Sequence, residues 1–211
     1  MKKEIYLIGV GNYTEVVLEL ARDCGYEVKG LYHYNSERTG EFIMEVPIIG
    51  CTEDLYEQNI VNQNFAVTIG DNKLRNTIAN KLRKLGANTP NLIHSKANVS
   101  KLATMGKGCF LYFNAILWTK SKIGNDCILS PNAMISHHAI VGNAGFVTSF
   151  STVGAYCEIA NFLQMGINSL ILPKVKLGEN CFIAAKANVT KSFKDNVILI
   201  GNPAKILRKN K

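Results

Sequence analysis

From Leu92 to Phe193 the apolar positions recur every six residues, through seventeen hexads without insertion or deletion. The second position of every hexad is aliphatic, from Ile93, Val99 and Met105 through Ile135, Val141 and Val153 to Ile183 and Val189. The sixth is Ala, Ser, Cys or Gly in fourteen of the seventeen, with Leu163, Val175 and Phe193 as exceptions. Glycine follows the aliphatic residue at Gly106, Gly124, Gly142, Gly154, Gly166 and Gly178. On a helix, successive second positions would stand about 600° apart and drift around the axis, so no stripe forms. Short parallel strands joined by tight corners do fit. Each strand buries its second residue, and the glycines are expected to supply positive φ at the corners. Hexapeptide arrays of this kind build parallel β-helices. Three hexads, about eighteen residues, close one three-sided coil, so the array predicts between five and six coils.

Residues 1–90 follow another pattern. Glu4–Gly9 alternate as a strand and end in GVGN, and a helical pattern runs from Tyr13 to Asp23. Glu27–Tyr34 reads as a second strand and Val46–Gly50 as a short extended piece. Thr52 is placed to cap a brief helix to about Gln58. Phe65–Gly70 is a further strand, after which Asp71 caps a helix to about Leu85. Strands alternating with helices predict a small parallel, Rossmann-like α/β sheet. Asn88-Thr89-Pro90 then breaks the pattern, which gives an α/β domain over 1–90 and an all-β helix with a C-terminal tail over 91–211.

Composition narrows the class. The chain of 211 residues is 47% hydrophobic and 19% charged, and it contains no apolar run long enough to span a membrane. Two lysines precede a short apolar run at the N-terminus, but Glu4 and the GVG turn suit a first strand better than a signal peptide, so a cytoplasmic protein is expected. The net charge of +8 is spread along the chain and densest in the terminal KILRKNK, with no basic stripe interleaved with aromatics. That pattern reads as a solvated basic surface rather than a nucleic-acid site. Four of the six cysteines, Cys109, Cys127, Cys157 and Cys181, take the small sixth position and read as buried core thiols. Cys24 and Cys51 form no CxxC pair.

The segments IGVGNYTEVV, IGDNKLR (69–75), NLIHSKANVS (91–100), SHHAIVG (136–142), GINS (166–169) and GNPAKIL (201–207) stand in an order that resembles one family. It is the sialic acid O-acetyltransferase and bacillosamine-pathway acetyltransferase family, of the hexapeptide-repeat acyltransferases, and the resemblance covers essentially the whole chain. It implies a left-handed parallel β-helix, an N-terminal domain that holds a nucleotide-linked amino sugar, and a homotrimer of prisms side by side. Acetyl-CoA would enter as co-substrate, and no metal would be needed. The implied reaction is acetylation of an amine on a UDP- or dTDP-linked 4-amino-4,6-dideoxy sugar for surface glycans.

Of the four histidines, His137 matches the motif position for the general base, and imidazole suits proton removal near neutral pH. His138 stands where bacillosamine-pathway relatives carry an acid, and it is the alternative acting residue. Without a carboxylate partner for His137, an amine nucleophile is better suited than a hydroxyl. His33 ends a strand, and His94 lies in the entry hexad with a structural role expected. Ala155, eighteen residues beyond His137, is the candidate backbone donor to the thioester oxyanion. Ala155, Gly166, Ala184, Pro203 and Lys205 are the implied acetyl-CoA contacts. Gly9, Gly11, Asn12, Tyr13, His33, Tyr34, Asp71 and Asn72 are the implied nucleotide-sugar contacts, the GVGN turn being able to receive phosphate at a helix N-terminus. Three rival readings stand beside this one. They are O-acetylation of sialic acid or a similar sugar, a γ-carbonic-anhydrase-like metal enzyme, for which the histidines are too few and two are adjacent, and nucleotide-sugar binding without turnover.

Overall fold

The computed structural model describes residues 3–210. It divides into two compact units, Met1–Leu92 and Ile93–Lys211.

The first unit runs β1 (Lys3–Ile8), α1 (Asn12–Asp23), β2 (Tyr26–His33), β3 (Phe42–Ile43), β4 (Val46–Cys51), α2 (Thr52–Tyr56), β5 (Phe65–Val67) and α3 (Asn72–Lys84). The sheet order is β3-β4-β2-β1-β5. Its core sets Ile5, Leu7, Leu31 and Phe65 of the strands beside Val17, Leu18 and Ala21 of α1, all fully buried. The sheet is parallel except for β3, which pairs antiparallel with β4. That corrects the wholly parallel expectation. Met44 and Glu45 both adopt positive φ and close a two-residue hairpin between Ile43 and Val46. Two other expectations shift. Cys51, not Thr52, occupies the N-cap of α2, with no side-chain cap bond. β5 ends at Val67 rather than Gly70. Asp71 does cap α3, its Oδ1 accepting the Leu74 N–H at 2.7 Å.

The second unit is a left-handed parallel β-helix. Two-residue strands β6 (Leu92–Ile93) through β22 (Asn188–Val189) follow the first two positions of all seventeen hexads. Each strand pairs with the one eighteen residues on, as in Ile116↔Met134, Ile140↔Glu158 and Phe146↔Gln164. Three faces result. The second-position side chains from Leu111 onward are buried in one continuous core with the small sixth-position residues. Ile93, Val99 and Met105 are the exceptions, the first two 37% and 36% exposed and Met105 half-buried, because they belong to the first coil and no earlier one lies over them. The C-terminal tail is an antiparallel hairpin, β23 (Val197–Ile200) with β24 (Lys205–Lys209), and β23 continues the face of β21 (Phe182–Ile183).

The corners are built differently from the expectation. Positive φ falls on the fifth hexad position, at Gly108 and then at Asn114, Lys120, Asp126, Asn132 and His138 onward to Lys186. The glycines after the aliphatic residue are not in the left-handed region. They are required by close approach: a Cβ on Gly124 would lie 2.7 Å from the Asn143 nitrogen, and one on Gly154 would lie 2.6 Å from the Ile171 oxygen. Left-handed backbone costs a non-glycine residue about 1–2 kcal/mol. It also turns the fifth-position N–H onto the preceding coil, where it finds a carbonyl, as Phe162 N–H does on Asn143 O at 2.9 Å. A net hydrogen bond of about 1 kcal/mol offsets much of the strain.

Candidate active site

His137 and His138 are the fourth and fifth residues of one such corner, after the strand Met134–Ile135. The backbone there is pinned from both sides. The His138 N–H donates to Thr119 O at 3.0 Å, and His137 O accepts from the Tyr156 N–H at 3.3 Å. His138 takes φ 60°. Both imidazoles are half-buried, and their Nδ1 atoms stand 3.1 Å apart. Two aromatic rings hold them. Trp118 meets the His137 ring edge-on, with centroids 5.3 Å apart. Tyr156 meets His137 edge-on at the same distance and stacks on His138 at 4.9 Å and 19°. The motif reading passes over Trp118 and Tyr156. The signal for Tyr156 was the coil period itself, since it lies eighteen residues beyond His138.

Ala155 lies on the same edge of the prism, one coil beyond His137. Its carbonyl accepts from the Lys174 N–H at 2.8 Å, while its own N–H donates to no group among the described residues. The edge that carries the asparagine ladder is different. There the fourth-position amides are occupied: Asn125 N–H donates to Asn143 Oδ1, and Asn143 N–H to Asn161 Oδ1, both at 2.8 Å. The corner therefore presents a clamped imidazole pair and, one coil away, a backbone donor available to an oxygen atom. An open groove of about 420 Å³, lined by Asn98, Val99, Ser100, Ile116, Trp118 and Met134, borders the same face.

The other acetyl-CoA candidates fall on a second edge. Gly166 and Ala184 stack there one coil apart, and the Ala184 N–H donates to Leu199 O at 2.8 Å. The turn with Pro203 and Lys205 joins them, since the Asn188 N–H donates to Gly201 O and the Ala204 N–H to Asn188 O. Gly166 and Ala184 follow the strands Gln164–Met165 and Phe182–Ile183, on another edge of the prism, so one chain does not place them at the His137 corner.

The nucleotide-sugar candidates lie at the carboxyl ends of β1, β2 and β5. The order of β2, β1 and β5 makes the gap between β1 and β5 a topological switch point, where open α/β sheets receive ligands. Gly9, with φ 116°, packs so tightly that a Cβ would lie 2.7 Å from Thr68 Oγ1. Gly11 is the N-cap of α1, and Asn12 and Tyr13 open that helix. Across the gap stand Asp71 and Asn72. His33 is 8% exposed, its Nδ1 2.8 Å from Asn35 Oδ1, and Tyr34 lies over it with ring centroids 4.2 Å apart. Arg75 stands in the sequence only as the last residue of IGDNKLR. The residue is 1% exposed, and its guanidinium donates to Ile69 O at 3.0 Å, Gly70 O at 3.2 Å and Asn72 Oδ1 at 2.7 Å, which fixes the loop facing Gly9.

The sixth-position thiols are core groups. Cys127 Sγ–H donates to Gly142 O at 3.2 Å and Cys157 Sγ–H to Leu172 O at 3.1 Å. Burial pushes the Cys181 thiol up to about 11 and raises that of Cys157. Cys157 and Cys181 are thus held as neutral thiols, unsuited to nucleophilic catalysis. Among the described residues no three His, Cys, Asp or Glu side chains converge on a metal-ligating set. No helix among them is long and apolar enough to cross a membrane.

Known proteins resemble the chain in both of its units. The PglD N-terminal domain family matches residues 4–82. PerB from Caulobacter crescentus, solved in complex with CoA and GDP-perosamine, is 28% identical, with 96% of each chain covered and a TM-score of 0.88. The acetyltransferase domain of PglB from Neisseria gonorrhoeae, solved with acetyl coenzyme A, shares the fold at 23% identity and a TM-score of 0.87, covering 98% of this chain and all of that one. The galactoside O-acetyltransferase of Lactococcus lactis is 28% identical over 106 residues, 49% of this chain and 51% of that one. The chain spans about half or less of the length of the curated relatives it matches. With residues 4–82 matching the PglD N-terminal domain and an unbroken hexapeptide helix after them, the chain is similar to PerB along nearly its whole length.

Proposed function

We propose that the protein is an acetyl-CoA-dependent N-acetyltransferase acting on the amino group of a nucleotide-linked amino sugar. The observation that carries this reading is the corner itself, a clamped His137 with the Ala155 N–H one coil beyond it and open to an acceptor. His137 Nε2 takes a proton from the sugar amine as its nitrogen attacks the thioester carbon. The carbonyl oxygen gains negative charge and accepts a hydrogen bond from Ala155. The C–S bond then breaks, CoA leaves as thiolate, and the imidazolium proton passes to sulfur or solvent. No enzyme-bound acetyl intermediate is required.

The switch-point loops suit the nucleotide, with the N-terminus of α1 and the Gly9–Gly11 turn toward its phosphates. The edge with Gly166, Ala184, Pro203 and Lys205 suits CoA. A homotrimer reconciles the two edges, because CoA lying between adjacent prisms would meet His137 and Ala155 of one chain and the second edge of its neighbour. The face of Ile116, Met134, Thr152 and Leu170 supports it, being free of charge where the next face carries Lys122, Glu158 and Lys176. PerB was solved with a GDP-linked sugar, so GDP joins UDP and dTDP as the nucleotide to test.

The test is thiol release from acetyl-CoA with GDP-, UDP- and dTDP-linked 4-amino-6-deoxy sugars, followed by the mass of the product. An acetylated nucleotide sugar from any of the three upholds the reading. The galactoside O-acetyltransferase relative makes a hydroxyl sugar the informative rival acceptor. Thiol release with free sialic acid or a galactoside, and with none of the amines, would replace the N-acetyl reading by an O-acetyl one. Tight binding of a nucleotide sugar without thiol release would leave a binding protein.

A further inference from the structure

The proximity of the two imidazoles constrains where their protons sit. Two bare ring nitrogens 3.1 Å apart would oppose their lone pairs, so one Nδ1 must carry a hydrogen and the other accept it. If His138 donates, the neutral His137 holds its proton on Nε2 and has no lone pair facing outward. If His137 donates, its Nε2 is bare. Only the second arrangement makes His137 a base.

We propose that His138 is the positioning residue for His137, its Nδ1 accepting the His137 Nδ1–H and so fixing the tautomer with a bare Nε2. This inference rests on the reading of His137 as the base. His138 is built for the task. Its left-handed φ of 60° is stabilised by the N–H bond to Thr119 O, which sets the direction of the side chain. Tyr156, from the next coil, covers its ring face to face and at the same time abuts the edge of His137. Trp118, from the preceding coil, meets the His137 ring edge-on. Rotation of His137 would break its contacts with both Trp118 and Tyr156, and rotation of His138 would break its stacking on Tyr156. When His137 Nε2 takes the amine proton, the Nδ1–H bond to His138 becomes charge-assisted and strengthens, so the positive charge is supported by a neutral acceptor rather than by a carboxylate.

Two measurements test the pairing. Nitrogen-15 NMR of the histidine-labelled full chain, with His137→Gln to assign the signals, should show His137 protonated at Nδ1 and bare at Nε2. In His138→Gly, which removes the ring and eases the left-handed backbone, that pattern should shift toward the Nε2–H form. With an accepted sugar, His138→Gly should lower kcat by about 10- to 100-fold while both KM values stay within about threefold. His138→Asn should recover much of the loss, since Asn supplies an acceptor oxygen and already occupies the same corner position at Asn114, Asn132 and Asn168. A bare Nδ1 on His137 in the unsubstituted protein would overturn the pairing. So would a tautomer and kcat unchanged in His138→Gly. The two ideas fail separately. An Nδ1–H signal on His137 with no acceptor sugar turned over upholds the pairing and removes the acetyl-transfer reading. Turnover abolished by His137→Ala yet untouched by His138→Gly upholds acetyl transfer and removes the pairing.

Discussion

Replacing Gly142 by alanine adds one methyl group at a corner where two coils meet. The new Cβ would lie 2.8 Å from the Asn161 nitrogen and 2.9 Å from the Ala160 carbonyl carbon, about half an ångström inside ordinary contact. Neither atom can yield easily. Gly142 N–H donates to Ile159 O at 2.8 Å, Asn143 N–H to Asn161 Oδ1 at 2.8 Å and Phe162 N–H to Asn143 O at 2.9 Å, so the two coils move apart only by lengthening several bonds together. Overpacking of this kind costs about 1–3 kcal/mol. The backbone at Gly142 is not left-handed, so alanine would otherwise stabilise by about 0.4–1 kcal/mol through the unfolded chain. The expected net is a loss of about 1–2 kcal/mol. Gly108→Asn is the control, because Gly108 has φ 72° and Asn holds the same corner position at Asn180 with φ 55°. That change should stay within about 0.5 kcal/mol of the unsubstituted protein. Urea unfolding read by Trp118, the sole tryptophan and itself within the helix, measures both. Gly142→Ala at unchanged or higher stability, or Gly108→Asn as the costlier change, would refute the close-approach account.

Other perturbations follow from the same contacts. The Cys181 thiol keeps its proton in the folded protein up to about pH 11, whereas the unfolded chain loses it near pH 9. The unfolded state therefore binds fewer protons in that window, and the urea midpoint should fall as pH rises from about 9 to 11, a decline that Cys181→Ala should reduce. Native protein at pH 8 should expose at most Cys24 to a thiol reagent, because the other five cysteines are buried. Arg75→Met should release the Ile69–Asn72 loop and weaken nucleotide-sugar binding about tenfold or more by calorimetry, while leaving acetyl-CoA binding unchanged. Asp71→Ala should destabilise the first unit by about 1 kcal/mol through loss of the α3 cap, seen as a lower midpoint by circular dichroism.

The β-helix is legible because burial of one side chain per two-residue strand imposes a strict period, and Leu111 through Val189 record it in their chemistry. The corner conformation is not legible. The left-handed position is filled by residues as different as Asp126, His138, Ala144 and Phe150, since what stabilises it is a backbone bond to the preceding coil rather than a side-chain property. Glycine marks the point of closest approach, a distance no propensity records. In the first unit Asp71 announces its helix, while the two-residue strand Phe42–Ile43 carries too little pattern to be read. His137 and Ala155 follow from motif and period together. The imidazole contact and the stacking of Tyr156 depend on ring orientation, which the sequence does not encode locally.

The most direct test of the account is a single-turnover comparison of the unsubstituted protein with His137→Ala, using acetyl-CoA and whichever nucleotide-linked amino sugar is accepted. The account predicts that acetyl transfer to the amine slows by about 10²- to 10⁴-fold while acetyl-CoA binds as before. Transfer at an undiminished rate in His137→Ala, with the product still acetylated on nitrogen, would contradict it.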